Sequence, residues 1–203
     1  MTPFQLHVKT WSDCTACKLH ETRKKVVLAK GDIPADVLFI GEAPGKNENL
    51  TGTPFIGPAG NLLTRMIGHA KEQSGTSLRM AFTNIVACIP VDENGKKVHE
   101  PEKECVKACE PRLVEFVRLV KPKAIVLVGK EANKYICGQA NFTIEGEDNQ
   151  PPWLKGKFMI FEKIMHPAAI LRINEATQGL HIERCVTQLV SVFLEVKSGG
   201  PAF

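Results

Sequence analysis

Apolar residues in this chain fall into short runs separated by polar, glycine-marked breaks, and the runs follow two periods. Residues 37–40 (VLFI), 80–87 (MAFTNIVA), 124–128 (AIVLV) and 157–165 (KFMIFEKIM) are short and rich in β-branched or aromatic side chains. Buried strands have that character. Between the first two, Leu62, Leu63, Met66, Ile67 and Ala70 recur at helical spacing, so a helix is predicted over residues 62–71. Pro101 opens a second helix, with Glu102 and Glu104 in its first turn where the helix dipole favours acids. It runs to about Val120 and stops at Lys121-Pro122-Lys123. Gly129-Lys130 turns into a third helix through Tyr135 and Cys137, and a last one spans about residues 180–196. Strands alternating with helices predict an α/β fold, a three-layer α/β/α sandwich on a central, mostly parallel four-stranded sheet. One domain is expected over residues 1–203, with residues 1–30 as an N-terminal segment, a loop-rich stretch over 141–156 and a flexible tail at 198–203.

The stretch 37–63 carries the strongest local signal. A strand-length run is broken by Gly41, Gly45, Gly52, Gly57 and Gly60, and a helix follows. Strand, glycine-rich loop and helix bring backbone N–H groups to the carboxyl edge of a parallel sheet, where α/β proteins bind ligands. The loop is neither a Walker A sequence nor GxGxxG. It holds two carboxylates, Glu42 and Glu48, and one aromatic, Phe55. A phosphate cradle would not want two acids, whereas a pocket for a neutral, flat, hydrogen-bonding ligand could use all three. Asn84 and His166 stand in or just beyond two other strand-like runs. From position alone Asn84 suits local backbone satisfaction better than base recognition, and His166 suits a capping or packing role.

Bulk composition narrows the class. Hydrophobic residues make up 43% and charged residues 24%, ordinary for a globular protein. No apolar run is long enough to cross a bilayer, and the N-terminus lacks a basic region followed by an apolar one. A cytoplasmic protein without membrane association is expected. The net charge of +4 permits a polyanionic partner without requiring one. Seven cysteines, an odd number, fit metal binding or buried thiols better than a disulfide framework. Cys14-Thr15-Ala16-Cys17 places two thiolates at chelating distance, and Cys105 and Cys109 share one helix face.

Four blocks in order resemble the iron–sulfur branch, family 4, of the uracil-DNA glycosylase superfamily, over nearly the whole chain. They are Cys14-x-x-Cys17; GEAPG at 41–45 with Glu48, Gly52 and PFIGPAGNLL at 54–63; Thr83-Asn84-Ile85-Val86 with Cys88, then Cys-x-Pro-x-Leu at 109–113; and HPAAILR at 166–172. The resemblance implies a DNA repair enzyme that hydrolyses the N-glycosidic bond of a flipped-out deoxyuridine and leaves an abasic site. It also implies a 4Fe-4S cluster on Cys14, Cys17, Cys88 and Cys109, with Cys105 a possible substitute for the last, and buried thiols at Cys137 and Cys185. Zinc would satisfy the same spacing on general grounds, so iron is argued by the resemblance alone.

Chemistry fits beside that resemblance. An enzyme acting on a base in DNA must extrude it and read its edge and its face. Phe55 would stack on uracil. Asn84 would donate to O4 and accept from N3–H, and the backbone of Gly41, Glu42 and Ala43 would line the rest. His166 would donate to O2 and stabilise the leaving anion. Glu42 would orient water or stabilise the positive sugar, with Glu48 the second acid or a support for the loop. Pro44, Pro167, Leu171 and Arg172 would meet the DNA. The expected partner is uracil-containing DNA, single- or double-stranded, bound by a monomer.

Two departures from the family pattern matter. Glu48-Asn49 stands where an acidic pair is usual, and the segment between Cys88 and Cys109 lacks the usual Pro-rich form. Within it, residues 95–99 (GKKVH) are similar to the loop of a branch that traps DNA covalently, with His99 as the nucleophile. A non-catalytic DNA-binding protein and a redox-sensing iron–sulfur protein are the readings from other classes.

Overall fold

The computed structural model describes residues 1–95, 97–137 and 160–199. Five strands form one sheet: β1 (Lys30–Gly31), β2 (Val37–Gly41), β3 (Met80–Asn84), β4 (Ala124–Val128) and β5 (Ile160–Ile164), in spatial order β1-β3-β2-β4-β5. The pairs β3/β2, β2/β4 and β4/β5 are parallel, and β1 lies antiparallel to β3. The expected sheet of four is therefore corrected to five. The extra strand has two residues and no apolar period. Gly31, at φ +102°, passes so close to the Met80 carbonyl that a Cβ would clash with it.

Seven α-helices are described, besides one 3-10 turn at Lys18–His20: α1 (Pro3–Trp11), α2 (Lys46–Thr51), α3 (Pro58–Ser74), α4 (Lys103–Val120), α5 (Lys130–Cys137), α6 (Pro167–Ile170) and α7 (Glu175–Lys197). Alternate residues of β2 and β4 sort the core into two layers. Val37, Phe39 and Val126 pack with Leu63, Met66, Leu189 and Phe193 of α3 and α7. Leu38, Ile40, Ile125 and Leu127 pack with Leu113, Phe116 and Val120 of α4 and Ile136 of α5. These are the two outer layers of the predicted sandwich.

Several boundaries shift. Pro58 at the first helical position starts α3 four residues before its apolar stripe begins, and Gly75 at φ +58° ends it. Strand β3 stops at Asn84; Ile85 N and Val86 N still donate to the carbonyls of Gly41 and Glu42, and the chain then runs on to Cys88. Helix α1 was not anticipated. Thr2 and Gln5 close a reciprocal capping box around Pro3. It docks on α4 through buried His7, whose Nδ1 lies 2.9 Å from Glu115 Oε1, and through Trp11 Nε1, which donates to Glu115 Oε2 at 2.9 Å. The loop predicted over 141–156 and the start of the strand predicted from 157 lie outside the described residues. So does the tail beyond Gly199; Ser198 itself caps α7.

Candidate active site and cysteine cavity

Parallel strands deliver their carboxyl ends to one edge, and the candidate residues stand there. Gly41 ends β2, Asn84 ends β3, Gly129 follows β4, and His166 follows β5 by two positions. Strand order reverses around β2, which opens a crevice at this edge. A cleft of 990 Å³ lies there, lined by Glu42, Phe55, Asn84, His99 and His166 among others. That is the upper end of the range for a small-ligand pocket, about 300–1,000 Å³, and leaves room for a base with its sugar and phosphate.

Gly41 is a glycine because of what meets above it. A Cβ there would stand 2.5 Å from Asn84 Oδ1 and 2.8 Å from Phe55 Cζ, so amide and ring converge on this one position. Phe55 adopts a left-handed backbone, φ +54°, a conformation most side chains avoid. Three contacts enforce it. Lys30 Nζ donates to the Phe55 carbonyl at 2.8 Å, and Gly60 lets that carbonyl pass where a Cβ would clash. Glu48 accepts at Oε1 from Ile56 N (3.0 Å) and Gly57 N (2.9 Å). Buried Glu48 thus pins the loop that carries Phe55. Its neighbour Asn49, the departure from an acidic pair, accepts from Lys24 N at 2.8 Å and ties the preceding basic segment to α2.

Glu42 is half-buried at the same edge, and burial pushes its carboxyl from 4.5 up to about 7, with the nearby Glu131 and Glu100 carboxylates adding to the rise and Lys130 opposing it. His166 caps α6. Its Nδ1 accepts from Ala168 N at 3.1 Å, which leaves the ring proton of the neutral imidazole on Nε2. Burial, and then the Arg172 charge, lower its pKa and favour that neutral form. Gly129, at φ +97°, lies against the ring, where a Cβ would come within 2.9 Å of His166 Cβ.

His99 reaches the cleft from the far side. Val91 and Val98 form an antiparallel bridge, and His99 N donates to Pro90 O at 3.0 Å, which brings His99 back beside Pro90. His99 Nδ1 donates to the Glu100 carbonyl at 2.8 Å, which leaves Nε2 with its lone pair. The two cleft histidines therefore hold opposite tautomers. Pro44, Pro167 and Arg172 line the cleft, while Leu171 stands beside it, 41% exposed. Lys46, Lys130, His181 and Arg184 line it too and had not been singled out in the sequence. Surface-type charges on helices give no sequence signal of the cleft they face.

The predicted ligand cysteines also converge. Cys14, Cys17, Cys88 and Cys109 line one cavity on the α4 side of the sheet, with Arg23 and Arg112. Cys105 is buried one turn before Cys109 on α4 and does not line it. Cys137 and Cys185 are buried in α5 and α7, as expected. Burial pushes the Cys88 thiol up to about 12, opposed by the Arg23 charge beside it. Among the described residues, no group of three or more His, Cys, Asp or Glu is gathered as a site for a single metal ion. A four-iron cube holds its thiolates farther apart than one ion does. The donor set suits it: four thiols around one space, with two cations at its wall.

Residues 28–190 match the family model described as the Uracil DNA glycosylase superfamily. Several curated relatives carry the name type-4 uracil-DNA glycosylase. The protein of Saccharolobus solfataricus is 36% identical over 168 residues, spanning 78% of this chain and 72% of its own. That of Sulfurisphaera tokodaii is 36% identical over 165 residues, with 78% and 71% covered. That of Thermotoga maritima is 33% identical over 161 residues, with 78% of each chain covered.

Proposed function

The chain belongs to the type-4 family of the uracil DNA glycosylase superfamily, and from that membership we propose that it excises uracil from DNA by hydrolysing the N-glycosidic bond. The observation that carries this is the convergence of Glu42, Phe55, Asn84 and His166 on one cleft at the carboxyl edge of the sheet.

Each residue has a role that its surroundings support. The extruded base stacks on Phe55 and presents its edge to the Asn84 amide, which donates to O4 and accepts from N3–H. Cytosine offers the reverse pattern and is rejected. As the bond between N1 and C1′ breaks, its electron pair passes to uracil. His166 Nε2–H donates to O2, where that charge gathers. A donor held neutral stabilises the anion without a competing proton loss. The Glu42 carboxylate faces the positive sugar and accepts a proton from the water whose oxygen bonds to C1′. Glu48 is a positioning residue that holds the Phe55 loop. Lys46, Arg172 and Arg184 supply positive charge for flanking phosphates. We take the whole chain as one glycosylase domain, acting as a monomer in the cytoplasm on single- or double-stranded DNA.

We assign Cys14, Cys17, Cys88 and Cys109 to a 4Fe-4S cluster, with the N-terminal segment as part of its binding site. When bound, it supplies a structural clamp between that segment, residue 88 and α4.

The test is a gel assay with an end-labelled oligonucleotide carrying one uracil. Alkali-labile breaks accumulating over many turnovers are expected, and they are lost in Asn84→Ala. No breaks from iron-loaded protein would overturn the assignment. A second reading is favoured by the free Nε2 of His99 in the same cleft: after uracil leaves, this nitrogen bonds to C1′ and traps the DNA. It predicts a heat-stable protein–DNA band that disappears in His99→Ala. Turnover with no such band removes it.

A further inference from the structure

Arg112 is 1% exposed and, among the described residues, the largest of the fully buried side chains. A guanidinium stays charged at any pH at which proteins fold, and burying it without compensation is costly. Here compensation is partial. Nη1 donates to Thr83 Oγ1 at 2.7 Å, and Nη2 donates to the carbonyls of Asn84 at 2.5 Å and Ile85 at 2.8 Å. Thr83 Oγ1 passes its own proton to Leu28 O at 2.7 Å, so this network ends on neutral dipoles. Among the described residues no carboxylate pairs with Arg112, and its Nε–H has no partner. The same side chain lines the cavity of Cys14, Cys17, Cys88 and Cys109.

We propose that Arg112 serves both sites of the molecule: its charge answers the anionic thiolate cluster, and its fork fixes the Asn84–Ile85 backbone, and so the amide that reads uracil. The charge half rests on the cluster assignment made above. Four thiolates outweigh the positive charge of the core they hold, so a cation at the cavity wall favours the more negative, reduced state. The geometric half needs no cluster. Two adjacent carbonyls at the end of β3 are held by one planar group. Asn84 can then point its amide into the cleft without drift of its backbone. Arg112 is a positioning residue, since it touches neither base nor sugar.

The test compares the full-length wild type with Arg112→Lys, Arg112→Gln and Arg112→Met. The readouts are iron content, cluster reduction potential, melting temperature, and kcat/KM on oligonucleotides carrying uracil. Lys keeps the charge and loses the fork. It is expected to hold the wild-type potential while excision falls about tenfold or more. Gln and Met lose the charge. Their potentials are expected to move negative, their clusters to bleach faster in air, and excision to fall at least as far. If Met does not fold, Gln carries the neutral arm. Wild-type potential in the neutral variants overturns the charge half, and undiminished excision in all three overturns the positioning half. Wild-type protein purified without air that holds no iron and shows no cluster absorbance overturns the cluster assignment itself. A loss of excision in Arg112→Lys then upholds the geometric half separately.

Discussion

Glu42 is held where its surroundings favour the proton that the proposed role requires it to lose. Its carboxyl titrates near 7, raised by burial and by Glu131 and Glu100, with Lys130 opposing. Excision is expected to rise with pH through about 7 as the carboxylate forms, measured as the pH profile of kcat/KM; Glu42→Gln removes that limb along with most of the activity. The stability sign is opposite. A carboxyl with a raised folded pKa stabilises below its unfolded value of 4.5, and that stabilisation is lost as pH rises through about 7. Glu42→Gln should therefore raise the melting temperature at pH 8 and change it little at pH 4, measured by thermal unfolding at the two pH values. The acid, the ring, the amide and the histidine were legible in the sequence because each is a polar or aromatic interruption at the end of an apolar run. Lys30 was not, since its partner Phe55 O lies across a loop with no periodicity. Arg112 left a signal that could have been read: it sits on the helical stripe of Cys105, Cys109, Leu113 and Phe116, where a charge is out of place.

At the scale of elements, the shortest strand has the most specific task. β1 ends the sheet antiparallel and brings Lys30 over the Phe82 ring, 5.2 Å from its centroid, to reach the Phe55 carbonyl. Burial lowers the Lys30 pKa, but the side chain still acts as the donor that holds Phe55 in its left-handed backbone. Lys30→Met is expected to leave the fold intact and raise KM for uracil-containing DNA about tenfold, more than it lowers kcat, because the stacking face loosens before the acid or the histidine moves. Steady-state kinetics with a single-stranded substrate separates the two. β1 has only two residues, too few for a period to mark it as a member of the sheet. The N-terminus of α1 was readable, since Thr2-Pro3-Phe4-Gln5 spells a capping box with proline in the first turn.

For the molecule as a whole, Arg112 of α4 links the cysteine cavity, which it lines, to the end of β3, whose Asn84 lines the cleft. Stripping the cluster with an oxidant and a chelator is expected to lower the melting temperature. It should also expose residues 1–17 to hydrogen exchange, while amides of α3 and α7 stay protected in their separate layer; mass-resolved exchange checks both. The fold class was legible because strand and helix periods alternate cleanly. The path of the N-terminal segment was not, because its anchor on Glu115 lies 108 residues away from His7. That distance has a consequence for biosynthesis. Cys14 and Cys17 leave the ribosome long before Cys88 and Cys109, and α1 has no surface to dock on until α4 has emerged. The early pair therefore has no partner cysteines to join while the middle of the chain is made, so an oxidant present during translation is expected to lower the fraction of chains that close the cavity, read as iron per chain after purification.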